Sequence, residues 1–108
     1  MNETDLDDLL VEGFEAGTLA PGGFHHRDHV RLTWIYLQRY GRRETEQRLL
    51  AGLRAFATRA GKPEKFDAAL TSRWVAVIDD ARLAVSAPSF EALVAARPEL
   101  LDRATPSR

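Results

Sequence analysis

The hexapeptide Phe24-His25-His26-Arg27-Asp28-His29 carries all three histidines of the chain. It follows Pro21-Gly22-Gly23 and opens a long amphipathic stretch, so it falls at an expected helix start. Imidazole ligates metals and moves protons near neutral pH. On a helix His25 and His29 are four apart, and His26 and His29 three apart. Either spacing puts two rings on one face, within reach of a shared cation. Two histidines make half of a metal site. Asp28 points away from that face, so Glu15, Asp67, Asp79 and Asp80 are the carboxylates that other elements would supply. The competing reading is structural. In it His25 caps the helix or sits on the surface, and His26 and Asp28 satisfy backbone donors of the first turn.

Composition narrows the chemistry. The chain has no cysteine, which removes disulfides, thiolate zinc sites, iron–sulfur clusters and cysteine nucleophiles. A metal must then be held by His, Asp, Glu and water, which suits zinc, iron, copper or manganese. Pro21-Gly22-Gly23 lacks the strand, lysine and spacing of a phosphate loop. No Ser/His/Asp constellation can be assigned from sequence order. Fifteen basic and 16 acidic residues give a net charge of −1, which argues against binding driven by phosphate neutralisation on nucleic acid. The amino terminus is acidic, the reverse of a signal peptide, and no apolar run approaches the ~20 residues of a membrane span. A cytoplasmic, soluble protein is expected.

Other polar groups rank lower. Thr33, Tyr36 and Tyr40 follow His29 along the same stretch, and Asp67 and Thr71 are four apart. Asp79-Asp80 reads as solvated helix surface. Arg27, Arg31, Arg39, Arg42 and Arg43 read as a solvated face countering the acidic amino terminus, or else as a site for an anion. Trp34 and Trp74 have core spacing and are taken as core anchors, not as a substrate box.

The elements that position these residues are all helical. Thr4 and Asp7 resemble a capping box. Leu6, Leu9, Leu10 and Phe14 repeat at helical spacing up to Gly17. Val30, Trp34 and Leu37 stripe a second helix that Gly41 ends. Leu49, Leu50, Leu53, Phe56 and Ala57 stripe a third, stopped by Gly61. Pro63 suits the start of a fourth, with Phe66, Leu70, Trp74, Val77, Ile78 and Ala81 on one side. Phe90, Leu93 and Val94 make a short helix before Pro98, and residues 105–108 are expected to fray. Helices are therefore expected near residues 5–16, 27–40, 44–60 and 64–85, and after Ser89, with bounds good to ~2–4 residues. At 108 residues, with no linker or internal repeat, the chain reads as one all-α domain, residues 1–108, a small bundle of about five helices.

The stretch from Phe24 to Leu37 resembles the F-T-H-R-[DE]-H-L-R-x-A-W-x-Y-L signature of a family of small bacterial proteins with no established reaction. Lys65-Phe66-Asp67-Ala68-Ala69-Leu70-Thr71 stands where such proteins read K-Y-H-E-T-[LV]-T, and Phe90 to Leu101 resembles their F-x-x-[NR]-P-x-L-L segment. The resemblance covers roughly residues 14 to 102. It maps the family's histidine pair onto His26 and His29, makes His25 an extra histidine, and places Asp67 and Ala68 where the family has a His-Glu pair. By that resemblance the chain keeps the first pair and loses half of the second. It also stops before the family's Tyr-Ser and Arg-rich tail, so a more open pocket, or one completed by a partner, is expected.

Two functions of different class follow. In the first, His26 and His29 bind a divalent metal with His25 or Asp67 as a third ligand, or they form an acid–base site in which His29 and Asp67 are catalytic, acting on a small-molecule substrate. In the second, the chain is a non-catalytic helical module with a degenerate site, partnered by another protein or by a second copy of itself. Neither involves nucleic acid or membrane.

Overall fold

In the computed structural model, which describes residues 3–105, four α-helices and three short 3-10 turns follow one another without a strand among the described residues. Helix α1 spans Glu3–Ala16, α2 His26–Arg59, α3 Ala68–Val85 and α4 Phe90–Ala96. The 3-10 turns are Pro21–Gly23, Pro63–Lys65 and Pro98–Leu101, each begun by a proline whose fixed φ suits a first helical position. The Thr4 side chain of the expected capping box lies outside the described residues, as do residues 106–108.

The second and third expected helices are joined into α2, yet Gly41 inside it has φ 78° and ψ 177°. That backbone is not helical and is open essentially to glycine alone. The chain therefore breaks direction at Gly41 and resumes helix at once, with no loop between 40 and 42. His26 and Phe56 sit equally far from Gly41 along the sequence. Each arm is about 22 Å long at 1.5 Å per residue. Folding at Gly41 carries the end of the second arm back to the start of the first, and Phe24 and Phe56 meet with ring centroids 5.1 Å apart.

The first arm is the centre of the molecule. Every residue from Leu32 to Leu37 is buried, so this arm is wrapped on all sides and not along one stripe. Helix α3 packs most extensively on α2, with α1 beside them. Trp34 and Trp74 are buried as expected, and the Trp34 ring lies 6.1 Å from Phe90. Gly52 has no side chain because α1 needs the space: a Cβ there would stand 2.4 Å from the Phe14 ring. Arg31 pairs with Asp7 at 2.6 Å and Arg39 with Asp8 at 2.9 Å, so these two arginines do counter the acidic amino terminus.

Three sequence expectations need correction. The fourth helix begins at Ala68 and not at Glu64, because the Asp67 carboxylate caps it by accepting from the Leu70 N–H at 3.0 Å. That leaves Phe66 in extended backbone. Asp79 is buried and not solvated. Its carboxylate holds Arg82 one turn on, at 2.8 Å, while Asp80 is exposed. Thr105 is tied down by its N–H on the Asp102 carbonyl at 3.0 Å and its hydroxyl on the Glu99 carbonyl. No helix among the described residues is long and apolar enough to cross a membrane.

Candidate functional site

His25, His26, His29 and Asp67 all line one cavity of about 690 Å³, a size ordinary for small-molecule sites. Six segments build it: the first turn of α2, the last turns of its second arm, the Pro21–Phe24 stretch before α2, Arg103 near the carboxyl end, the turn through Lys62 and Lys65, and the first two turns of α3. The kink at Gly41 brings the first two together, and Asp67 sets the entry of the last.

The three histidines have different situations. His25 is exposed and occupies the N-cap of α2, where the Asp28 carboxylate accepts its backbone N–H at 3.0 Å. Capping is thus a role these two residues do play, as the structural reading expected. His26 donates through Nε2 to the Leu100 carbonyl at 3.0 Å. A carbonyl only accepts, so the neutral ring carries its proton on Nε2 and leaves Nδ1 with a lone pair. The ring also lies 4.8 Å from Trp74. Burial lowers the His26 pKa, the Leu100 hydrogen bond opposes that, Arg103 lowers it further and Asp102 raises it.

His29 is the unusual group. Its ring forms part of the cavity wall, between Phe24 at 6.1 Å and His26 at 6.5 Å. Its Nε2 is sealed from solvent and has no hydrogen-bond partner among the described residues. Leaving a buried polar atom unmet costs ~1–3 kcal/mol, so native folds rarely keep one without a reason. Burial, with a smaller contribution from His26, pushes the His29 pKa down to about 4. The ring is therefore neutral at pH 7. Thr33 does not reach the cavity; its hydroxyl donates to the His29 carbonyl at 2.8 Å and steadies that turn.

The remaining candidates are divided. Asp67 is on the cavity wall, but its carboxylate is engaged with the start of α3. Thr71 also lines the cavity, and its hydroxyl is given to the Asp67 carbonyl at 2.9 Å. Glu15 accepts from the buried Tyr36 hydroxyl at 2.7 Å, and burial and that bond both raise the Tyr36 pKa. Asp79 is held by Arg82. Among the described residues, no group of three or more His, Asp or Glu side chains is arranged to hold a metal ion.

Sequence reasoning missed much of the wall. Phe24, Phe56, Phe66 and Trp74 give it an aromatic lining, and Lys62, Lys65 and Arg103 give it positive charge. Trp74 is thus both a core anchor and a cavity residue. Nothing local marked Arg103 or the Leu100 carbonyl, which reach the site only through the packing of the last segment.

No family model matches the chain, and neither a curated protein nor a solved structure matches it.

Proposed function

We propose that this protein binds a small molecule in the aromatic cavity and acts on it through the His26–His29 pair. The observation that carries the reading is the buried His29 Nε2 without a partner at the cavity wall. A ligand that displaces the local packing, or a turn of the ring about its Cβ–Cγ bond, would bring that nitrogen into use. A neutral imidazole with a free lone pair is a proton acceptor. It is also a metal ligand, and His26 supports that use as well: a ligating histidine commonly gives its other N–H to a carbonyl, as His26 does to Leu100. In the metal form His26 and His29 hold zinc, iron, copper or manganese, and His25, Asp67, water or substrate complete the shell. In the acid–base form His29 takes the proton. A cytoplasmic setting fits either form.

Calorimetric titration with zinc separates the two. Micromolar binding in wild type that His29→Leu abolishes supports the metal form. Absence of zinc binding, with a His29 ring nitrogen that shifts when a small molecule enters the cavity, supports the acid–base form. Wild type and His29→Leu that behave alike towards both metal and small molecules would overturn the proposal.

A second reading, the interaction module, has its own support. Leu6 and Leu9 of α1 are 47% and 53% exposed, three residues apart on one face. A second copy of the chain covering that face would give a dimer by light scattering that Leu9→Glu splits.

A further inference from the structure

We infer that the cavity selects a planar aromatic molecule bearing one anionic group, such as an aromatic carboxylate. This rests on the proposal that the cavity takes a small molecule, and names its chemical class.

The cavity wall is aromatic on several sides. Phe24, Phe56, Phe66 and Trp74 come from four separate parts of the chain and converge on one space. Three of these side chains are only partly buried, so the cavity leaves apolar surface for a ligand to cover. Flat rings are well matched to such a wall, by edge or offset contacts.

The anionic half is the charge. Lys62, Lys65 and Arg103 line the cavity, all three are exposed, and none of them forms an ion pair with a described residue. Of the other basic residues, Arg27 pairs with Glu91, Arg31 with Asp7, Arg39 with Asp8, Arg48 with Glu44 and Arg82 with Asp79, while Arg42, Arg43, Arg54, Arg59 and Arg73 also form no ion pair with a described residue. What sets Lys62, Lys65 and Arg103 apart is that the three share one cavity wall. Among the described lining residues the one carboxylate is Asp67, which accepts the Leu70 N–H. The first turns of α2 and α3 also face the cavity, and each adds the partial positive charge of a helix start. A cationic ligand would meet repulsion here, and a neutral one would leave these charges unanswered. An anion on an apolar ring answers both halves.

Three probes of one shape test this: 1-naphthoate, 1-naphthamide and 1-naphthylmethylammonium, titrated into the full chain and followed by calorimetry and by ring-nitrogen NMR. The account expects 1-naphthoate to bind about tenfold more tightly than the amide, with the ammonium weakest. Lys62→Gln/Lys65→Gln/Arg103→Gln, which alters exposed side chains only, should remove that tenfold preference and bring the carboxylate and amide affinities together. Arg42→Gln/Arg43→Gln, outside the cavity, should keep it. Equal binding of amide and carboxylate, loss of the preference in the Arg42/Arg43 variant, or binding of none of the three would overturn the inference. Equal binding would still leave the small-molecule proposal standing. Conversely, charge-selective binding that leaves the His29 nitrogens unmoved would uphold the chemical class and contradict the role given to His29.

Discussion

Replacing His29 with leucine should leave the protein as stable at neutral pH as the wild type, or more stable, and should flatten its response to acid. Among the described residues the imidazole makes no hydrogen bond through Nε2, so leucine removes an unmet buried nitrogen and gives up no described partner for that atom. Relief of that penalty is worth ~1–3 kcal/mol, offset in part by imperfect packing against Phe24 and His26. A net gain of about 1 kcal/mol is expected. The acid response follows from linkage. An unfolded histidine has a pKa of about 6.5, and the folded His29 is pushed down to about 4. Between those values the unfolded chain binds the extra proton, so acid favours unfolding. The contribution is fully present above the unfolded pKa and is lost as pH falls through 6.5 towards 4. The separation of about 2.5 units corresponds to about 3 kcal/mol in total, and to ~2–3 kcal/mol by about pH 4.5. Urea unfolding of both proteins at about pH 7.5 and about pH 4.5 reads both effects. Carboxylates add their own acid sensitivity to both proteins, so the difference between the two isolates His29. A variant much weaker than wild type at neutral pH, or parallel acid sensitivity, would show that His29 is a satisfied structural residue.

Other substitutions test the packing. Trp34→Ala should cost about 3–5 kcal/mol in urea unfolding, because a buried ring against Phe90 is replaced by a cavity. Gly52→Ala should destabilise although alanine is the better helix former by ~1 kcal/mol, because the new Cβ would stand 2.4 Å from the Phe14 ring; a rise in melting temperature would refute that contact. Thr45→Val should be neutral or stabilising by up to about 1 kcal/mol, since the buried Thr45 hydroxyl has no hydrogen-bond partner among the described residues. A clear loss of stability in the thermal melt would show that the hydroxyl is satisfied after all.

What was legible in the sequence was mostly local. The spacing of His26 and His29 placed both rings at one wall, and Gly17, Gly41 and Gly61 each mark a break, all three with positive φ. Trp34 and Trp74 were readable as core because each sits in an apolar run. The direction of the break at Gly41 was not readable. Only the fold-back decides that Phe56 and Ala60 line the same cavity as Phe24 and His29. Asp79 looked like solvated surface because paired acids usually are, and its burial depends on Arg82 being there to meet it. Asp67 was expected beside the histidines and does line their cavity. Its capping of Leu70, which Pro63 obscured by suggesting an earlier helix start, is a second use of the same carboxylate. The cationic rim was invisible for a related reason, since Lys62 and Lys65 are distant in sequence from Arg103 and share its cavity only through the packing of the last segment.

The central claim is that His29 is held neutral and without a partner so that a molecule in the cavity can use it. Ring-nitrogen NMR of the three histidines tests this most directly, recorded from about pH 7.5 down to about pH 4, without and with 1-naphthoate or zinc. The account predicts a neutral His29 down to the low end of that range, a His26 protonated on Nε2 in its neutral form, and His29 nitrogen resonances that move when naphthoate or zinc is added. A His29 that titrates near 6.5, or whose nitrogens ignore both additions, would contradict it.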